Sequence, residues 1–406
     1  MFNAWLANIL NSYLGEVVEE LDSQNLGVGA LQGDILLIDL KLRSDCLSLL
    51  ELPIEVIAGT IGKISFKIPW SNLSSNPVLV HVQDVNLVAV PISHRGYNEE
   101  KDSRLDATRK RRFLQKVESI SVIKRAAKSQ NSKEEKLKRE LWETMIATFM
   151  NNVQVFIDRV HIRYEDNISI PGRFISCGIC LESLAAETTN SKWKSCEING
   201  NSKSIFKLVR FEKFCCYWNP SESSGVIAAK SGSSWRVKMR EIMEKHFSSQ
   251  PQDQAVLSPL SGKVKIMMNR SIADGAPRLL FDYQLKEIKV CLSKDQYHTM
   301  MQIQAALKFL QLSRIYRKYR PRQSIFSKPR HWWNYAYRCI KQQFIEPYYW
   351  SNIKKHREKY RVLFGLWLKR HQVGKSSSLK AKIKEAETDL DVTSIMLARE
   401  QAKYQV

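Results

Sequence analysis

Cys177-Gly178-Ile179-Cys180 has the spacing of a redox pair or a zinc half-site, in a chain with eight cysteines. Redox chemistry would need the pair at a helix start, and zinc would need a second pair at ligand spacing. Neither accompanies it. Strand alternation groups Cys177 with Ile175, Ile179 and Leu181, so buried structural thiols are expected. His161-Ile162-Arg163-Tyr164-Glu165-Asp166 gathers a base, a cation, a phenol and two acids. It falls at a strand end, where paired charges fix turns more often than they do chemistry. The sequence holds no nucleophile elbow, phosphate-binding glycine loop or metal-spaced His/Glu motif. The expectation is a non-enzyme with no metal and no cofactor.

The elements around these residues are mainly strands. From Gly33 to Val90 and from Val153 to Leu292, apolar and polar side chains alternate in long runs. Ile64-Ser65-Phe66-Lys67-Ile68, Val78-Leu79-Val80-His81-Val82 and Val153-Gln154-Val155-Phe156-Ile157 each place three apolar side chains on one side of a strand. Strands are expected near 34–42, 54–58, 61–68, 78–90, 152–164, 173–184, 205–218, 262–269 and 279–292. Something must cover the apolar side: a second sheet, a helix or a ligand.

Phe2, Trp5, Leu6, Ile9, Leu10, Tyr13, Leu14, Val17, Val18 and Leu21 form an amphipathic amino-terminal helix. Its polar face carries Glu16, Glu19, Glu20 and Asp22, which suits packing onto the end of a sheet rather than lying on an anionic bilayer. Glu99 to Met150 reads as a basic insertion of two helices, with Arg109-Lys110-Arg111-Arg112 and a stripe of Leu137, Leu141, Met145, Ile146 and Phe149. Ser221 to Ser261, rich in Ser, Gln, Pro and Gly, reads as a partly mobile loop. From Tyr297 the period changes to 3.6, giving a helix that ends before Pro321 and a helical remainder. That remainder reaches Val406 without a Gly or Pro terminator, which suggests a piece of a longer chain.

The net charge is +22, so an acidic partner is expected. The charge is local: Arg314 to Arg370 holds sixteen Lys or Arg against Glu346 and Glu358, whereas the first hundred residues hold five basic and twelve acidic side chains. No stretch reaches the roughly 18–20 uninterrupted apolar residues of a membrane span, and no leader precedes the first helix, so a cytosolic protein is expected. Pro329 to Gln372 interleaves eleven aromatic rings with Lys and Arg. Such a stretch could stack and pair with nucleic acid, sit at a membrane interface, or pack its rings inward and leave its charges in water.

Several ordered segments resemble a known family. Leu52-Pro53-Ile54-Glu55-Val56, Gly59-Thr60-Ile61-Gly62-Lys63-Ile64 and Ile68-Pro69-Trp70-Ser71-Asn72-Leu73 with Pro77 are similar to the amino-terminal chorein domain of the vacuolar protein sorting thirteen proteins. The likeness continues in His161–Asp166, Tyr217-Trp218-Asn219, Met268-Asn269-Arg270, Trp332-Trp333-Asn334-Tyr335-Ala336 and Leu390-Asp391-Val392 with Ala398-Arg399. No close match is seen around 95–140 and 221–258, and the acidic tract with paired phenylalanines by which some members bind reticulum receptors is not found. The resemblance implies a bridge-like lipid-transfer protein, far longer than this chain. Its β units would form an open apolar groove that carries glycerophospholipids between apposed membranes at contact sites, with this end at the endoplasmic reticulum.

The fold expected is therefore α+β: an amino-terminal amphipathic helix, a long, twisted, mainly antiparallel sheet forming an open apolar groove, then basic aromatic-rich helices. Its parts are 1–98, the helix and first strands; 99–150, the basic insertion; 151–293, the continued groove with a loop near 221–261; and 294–406, the helical region. Exposing an acyl chain to water costs about 0.8 kcal/mol per methylene, so a continuous apolar lining is required. The expected lining is Leu40, Leu42, Ile64, Phe66, Ile68, Val80, Val82, Leu87, Val153, Val155, Ile157, Phe206 and Leu208. The expected membrane-surface residues are Arg330, Trp332, Trp333, Lys354, Lys355 and Arg357. Partners are glycerophospholipids, a membrane surface and membrane-associated proteins, ahead of nucleic acid. A β-rich protein-interaction adaptor without lipid cargo and a basic nucleic-acid-binding module stand as the alternatives.

Overall fold

The computed structural model describes residues 14, 15, 17–19, 33–47, 52–69, 76–92, 152–194, 204–223, 225, 226, 234–248, 254–269, 277, 279–321, 323–373 and 377–405, with further positions between 100 and 114. The chain divides into two compact units, Met1–Ile92 with Gln130–Gln311 and Ser93–Ser129 with Leu312–Val406.

The first unit is built on one open eight-stranded sheet whose strands lie in chain order. They are β1 (Asp34–Lys41), β2 (Ile54–Lys67), β3 (Val78–Pro91), β4 (Val153–Asp166), β5 (Ile175–Thr189), β6 (Ser204–Asn219), β7 (Ala255–Asn269) and β8 (Leu279–Leu285). All neighbours are antiparallel except β3 and β4, which pair in parallel. β2 to β7 run 14 to 16 residues, against a usual length of about five or six. Dense Val, Ile and Phe favour the pleated conformation throughout.

One row of residues across the sheet keeps these long strands in step. Asp39, Asp84, Arg159 and Lys213 have φ of 53°, 58°, 54° and 48°. The flanking pairs place Asp39 across from Gly62, Gly62 across from Asp84, Asp84 across from Arg159, and Arg159 across from Glu182, which faces Lys213. A left-handed residue inside a strand acts like a bulge and switches which parity of side chains faces a given side. Here the switch is aligned in neighbouring strands, so the register survives it. Apolar side chains therefore step by three at the row: Leu37 to Leu40, Ile64 to Ile61, Val82 to Val85, Ile157 to Val160, Leu184 to Leu181, Phe211 to Phe214. Gly62 is required by close approach, since a Cβ there would lie 2.9 Å from the Asp84 Cβ.

Several boundaries differ from the sequence-based expectation. Strands 54–58 and 61–68 are one strand, because Gly59-Thr60 continues the β2 ladder. β7 starts at Ala255 rather than 262, and β8 ends at Leu285 rather than 292. The segment 221–261, read as a loop, contains helix α1 (Ser234–Phe247). Trp235, Met239, Ile242 and Met243 give it an apolar stripe, which packs against Val88, Cys180, Cys215 and Tyr217. Lys294–Ser313 forms α2, followed by a 3-10 turn at Arg314–Tyr319.

The second unit is helical. α3 (Pro329–Ile340) passes through a π turn at Lys341–Ile345 and a 3-10 turn at Glu346–Tyr348 into α4 (Trp350–Val373), then α5 (Ser377–Thr388) and α6 (Val392–Tyr404). Leu363, Trp367, Ile383, Leu390, Ile395 and Ala398 form its core, joined by Leu114. The Asp391 carboxylate caps α6 by accepting from Ser394 N at 3.0 Å. Lys110 Nζ donates to the carbonyls of Glu387, Thr388 and Leu390, which closes the end of α5. Arg370 and Arg399 lie over the Trp367 ring, 4.3 and 4.9 Å from its centroid. The described positions from 100 to 114 are helical. The Leu137–Phe149 stripe, and the amino-terminal helix before Leu14, lie outside the described residues.

Candidate functional site

Register decides which side chains share a face. Leu37, Ile64, Val82, Ile157, Leu184 and Phe211 stand in one transverse row. The next row on that side, beyond the parity switch, is Leu40, Ile61, Val85, Val160, Leu181 and Phe214. Val209, Val264 and Tyr283 extend the same face across β6, β7 and β8. The result is an apolar face that crosses every strand of the sheet.

Its coverage changes along the sheet. Near β1 to β3 it is closed: Leu14, Val18, Cys46 and Leu47 pack on Leu42, Val56, Ile61, Leu87 and Ala89. Backbone bonds from Glu19 N to Lys41 O and from Arg43 N to Val17 O, both 2.8 Å, tie that segment to the end of β1. Toward β8 the face is open, with Ile162 and Ile179 exposed and Phe281 and Tyr283 accessible to 48% and 64%. Contiguous apolar exposure of this kind marks a binding surface. One cation lies among these rows: Lys207 Nζ donates to Val153 O at 2.8 Å and to Thr188 Oγ1 at 2.6 Å, and burial lowers its pKa to about 8.

Of the expected lining, Leu40, Leu42, Ile64, Phe66, Ile68, Val80, Val82, Leu87, Val153, Val155 and Ile157 fall together on this face. Phe206 and Leu208 do not. Val209 stands across from Ala186 and hence Val155, so Leu208 and Phe206 belong to the reverse side with Glu187 and Thr189. There the Trp193 ring meets Phe206 edge-on at 5.5 Å. β6 is apolar at both parities, and Lys207 on the apolar face disguises which set belongs there.

The reverse face holds His161, Arg163 and Glu165 of the polar cluster seen in the sequence, covered by α1. The His161 Nδ1–H donates to the Met239 carbonyl at 2.9 Å, which leaves Nε2 to accept from the Tyr217 hydroxyl at 2.8 Å. Burial pushes the His161 pKa down to about 3, so the ring is neutral. Arg163 is fully buried and donates to Glu165 Oε1 at 2.8 Å, Glu222 Oε2 at 2.5 Å and Tyr217 Oη at 3.3 Å. Glu165 also accepts from Val226 N at 2.7 Å, which seats Val226. Asp166 accepts from Ile168 N, Ser169 N and the Tyr164 hydroxyl, forming a turn. These groups are committed to one another and to the backbone. The strand places Cys177 on the apolar face and Cys180 on the reverse face across from Cys215, so the two thiols of the Cys-x-x-Cys diverge. Burial pushes the Cys177 thiol up to about 12.

In the second unit Arg330, Trp333, Lys354, Lys355 and Arg357 are exposed, whereas Trp332 turns inward. Its Nε1 donates to Gln323 O at 2.9 Å, Arg320 lies 5.7 Å over the ring, and Tyr335 meets it edge-on. No described helix is long and apolar enough to cross a membrane.

A family model described as the VPS13-like family N-terminal region matches residues 1–406. The chain belongs to this family. It is 29% identical over 451 aligned residues to "Intermembrane lipid transfer protein VPS13C" of Mus musculus, covering 99% of this chain and 12% of that protein. It is 27% identical over 412 residues to the VPS13A protein of the same name series from Mus musculus, covering all of this chain and 13% of that one. With the VPS13 protein of Chaetomium thermophilum it shares 28% identity over 388 residues, 92% of this chain and 12% of the relative. The chain thus spans about an eighth of the length of these family members. The family match runs through 95–140 and 221–258, where the sequence shows no close likeness of its own.

Proposed function

We propose that this chain binds glycerophospholipids by their acyl chains on the apolar face of the sheet and forms the amino-terminal part of a protein that passes them between membranes at contact sites. The observation that carries the reading is the apolar face that crosses all eight strands, closed near β1 and open toward β8. A hydrocarbon tail gains about 0.8 kcal/mol for each methylene it removes from water, and the face asks nothing of a tail beyond its being apolar. Discrimination among tails is therefore weak, and head groups stay in solvent. The relatives' names, intermembrane lipid transfer proteins, agree with this chemistry. The reading places the chain as a peripheral protein at the endoplasmic reticulum end of a contact.

Mass spectrometry of organic extracts from the purified chain tests the reading. Two-chain glycerolipid at near-stoichiometric amounts is expected; lipid-free protein with the same fold would overturn it.

A further inference from the structure

The second unit carries an aromatic stripe that its own fold leaves uncovered. Along α3 and the turns after it, Trp333, Tyr337, Ile340, Phe344 and Tyr348 recur at intervals of four, three, four and four residues, which puts them on one side of the helix. All are exposed, Trp333 to 77%, Phe344 to 63% and Tyr348 to 76%. Neighbouring side chains off the stripe have partners of their own: Trp332 has Gln323 and Arg320, and Gln343 has the Tyr316 hydroxyl. The stripe is therefore not a core facing the wrong way.

We propose that this stripe is an interfacial anchor for an anionic bilayer, entering it at head-group depth while the helix lies along the surface. Trp and Tyr join an apolar ring to a polar tip and favour that depth over either water or hydrocarbon. The charge beside it selects the sign of the partner. Arg330 and Arg338 flank the stripe on α3, and Lys354, Lys355 and Arg357 follow on α4, all exposed. Only Glu346 and Glu358 oppose the sixteen cations of this stretch, and Glu346 lies 3.8 Å from Lys341. A helix with aromatic residues on one side and cations along its border has the composition that lies on anionic membranes. The inference rests on the lipid-transfer reading for its biological sense but not for its chemistry.

Co-sedimentation of the 406-residue chain with vesicles tests it, using phosphatidylcholine alone and phosphatidylcholine mixed with phosphatidylserine. Binding to the mixed vesicles is expected, weaker by about tenfold or more on phosphatidylcholine alone. Trp333→Ser with Phe344→Ser should lower it about tenfold or more, and Arg330→Glu with Arg338→Glu should remove the difference between the two vesicles. Tyr337→Ser with Tyr348→Ser provides a second aromatic pair, and circular dichroism checks the fold of each variant. Equal binding to both vesicles, binding to neither, or aromatic variants that sediment like the parent would overturn the proposal. Extracting lipid from the same samples separates the two readings: the stripe variants should retain bound glycerolipid, and its absence from the parent chain would count against the groove alone.

Discussion

Asp84 on β3 and Arg159 on β4 stand across from each other, both in the left-handed region, joined by Nε–Oδ1 at 2.6 Å and Nη2–Oδ2 at 2.9 Å. Arg240 of α1 approaches the same carboxylate at 3.7 Å, and Arg236 reaches Asp39 at 3.0 Å. The ion pair thus spans the row at which both strands switch parity. The Arg159 guanidinium holds the Asp84 carboxyl below the usual carboxylate range.

Backbone conformation makes this row sensitive to residue shape. Asp84→Asn keeps a side chain that tolerates positive φ, whereas Asp84→Val does not. The Val variant should be less stable than the Asn variant by about 1–2 kcal/mol in urea unfolding. Equal midpoints would show that the row carries no conformational constraint.

Arg163 is a buried cation that depends on its partners. Glu165→Ala removes one anion and the acceptor for Val226 N, leaving the guanidinium undercompensated. A loss of about 3 kcal/mol is expected, with earlier proteolysis at Val226. A loss under about 1 kcal/mol would mean that water already solvates this site.

Two histidines at the contact between α1 and the sheet, His161 on β4 and His246 on α1 itself, are held neutral. Burial lowers His161 to about 3 and His246, stacked on Tyr217 at 4.3 Å, to about 4. The groups that face His246 are Lys245 and Arg163, which lower its pKa further, and Glu222, which raises it. Because the folded values are depressed, the unfolded chain binds more protons between about pH 4 and 6.5, so stability is full above that window and falls as pH drops through it. His246→Phe preserves a ring for the stack and should lose less stability than the parent between about pH 7.5 and pH 5. An identical loss in both would remove His246 from the acid response.

Exposure separates binding from folding on the apolar face. Ile162 and Ile179 are directly paired and both exposed, so Ile162→Glu with Ile179→Glu should abolish lipid loading while shifting stability by less than about 1 kcal/mol. Ile64→Glu, at a fully buried site on the same face, should unfold the sheet. Retained lipid in the double variant would place the cargo elsewhere.

Much of this was legible in the residues. Val78-Leu79-Val80-His81-Val82 and Val153-Gln154-Val155-Phe156-Ile157 announce their faces by alternation, and the family resemblance on Leu52–Leu73 extends to the whole chain. Four things were not. The parity switch is written only as three-residue steps such as Val82 to Val85, which look like lapses in a period of two until neighbouring strands align them. The side of Phe206 and Leu208 is not readable from alternation, because β6 is apolar on both. Helix α1 was hidden by its Ser- and Gln-rich flanks, although Trp235, Met239, Ile242 and Met243 carry a helical period. The parallel pairing of β3 with β4 depends on the long connection between them, which local patterning does not encode.

The most direct test is photo-crosslinking with a phosphatidylcholine that carries a diazirine in its acyl chain, followed by peptide mapping. Labels are expected on Ile162, Ile179, Val264 and Phe281, along the open part of the apolar face. Labels confined to the reverse face, at Phe156 or Leu208, or to the helical unit alone, would contradict the account.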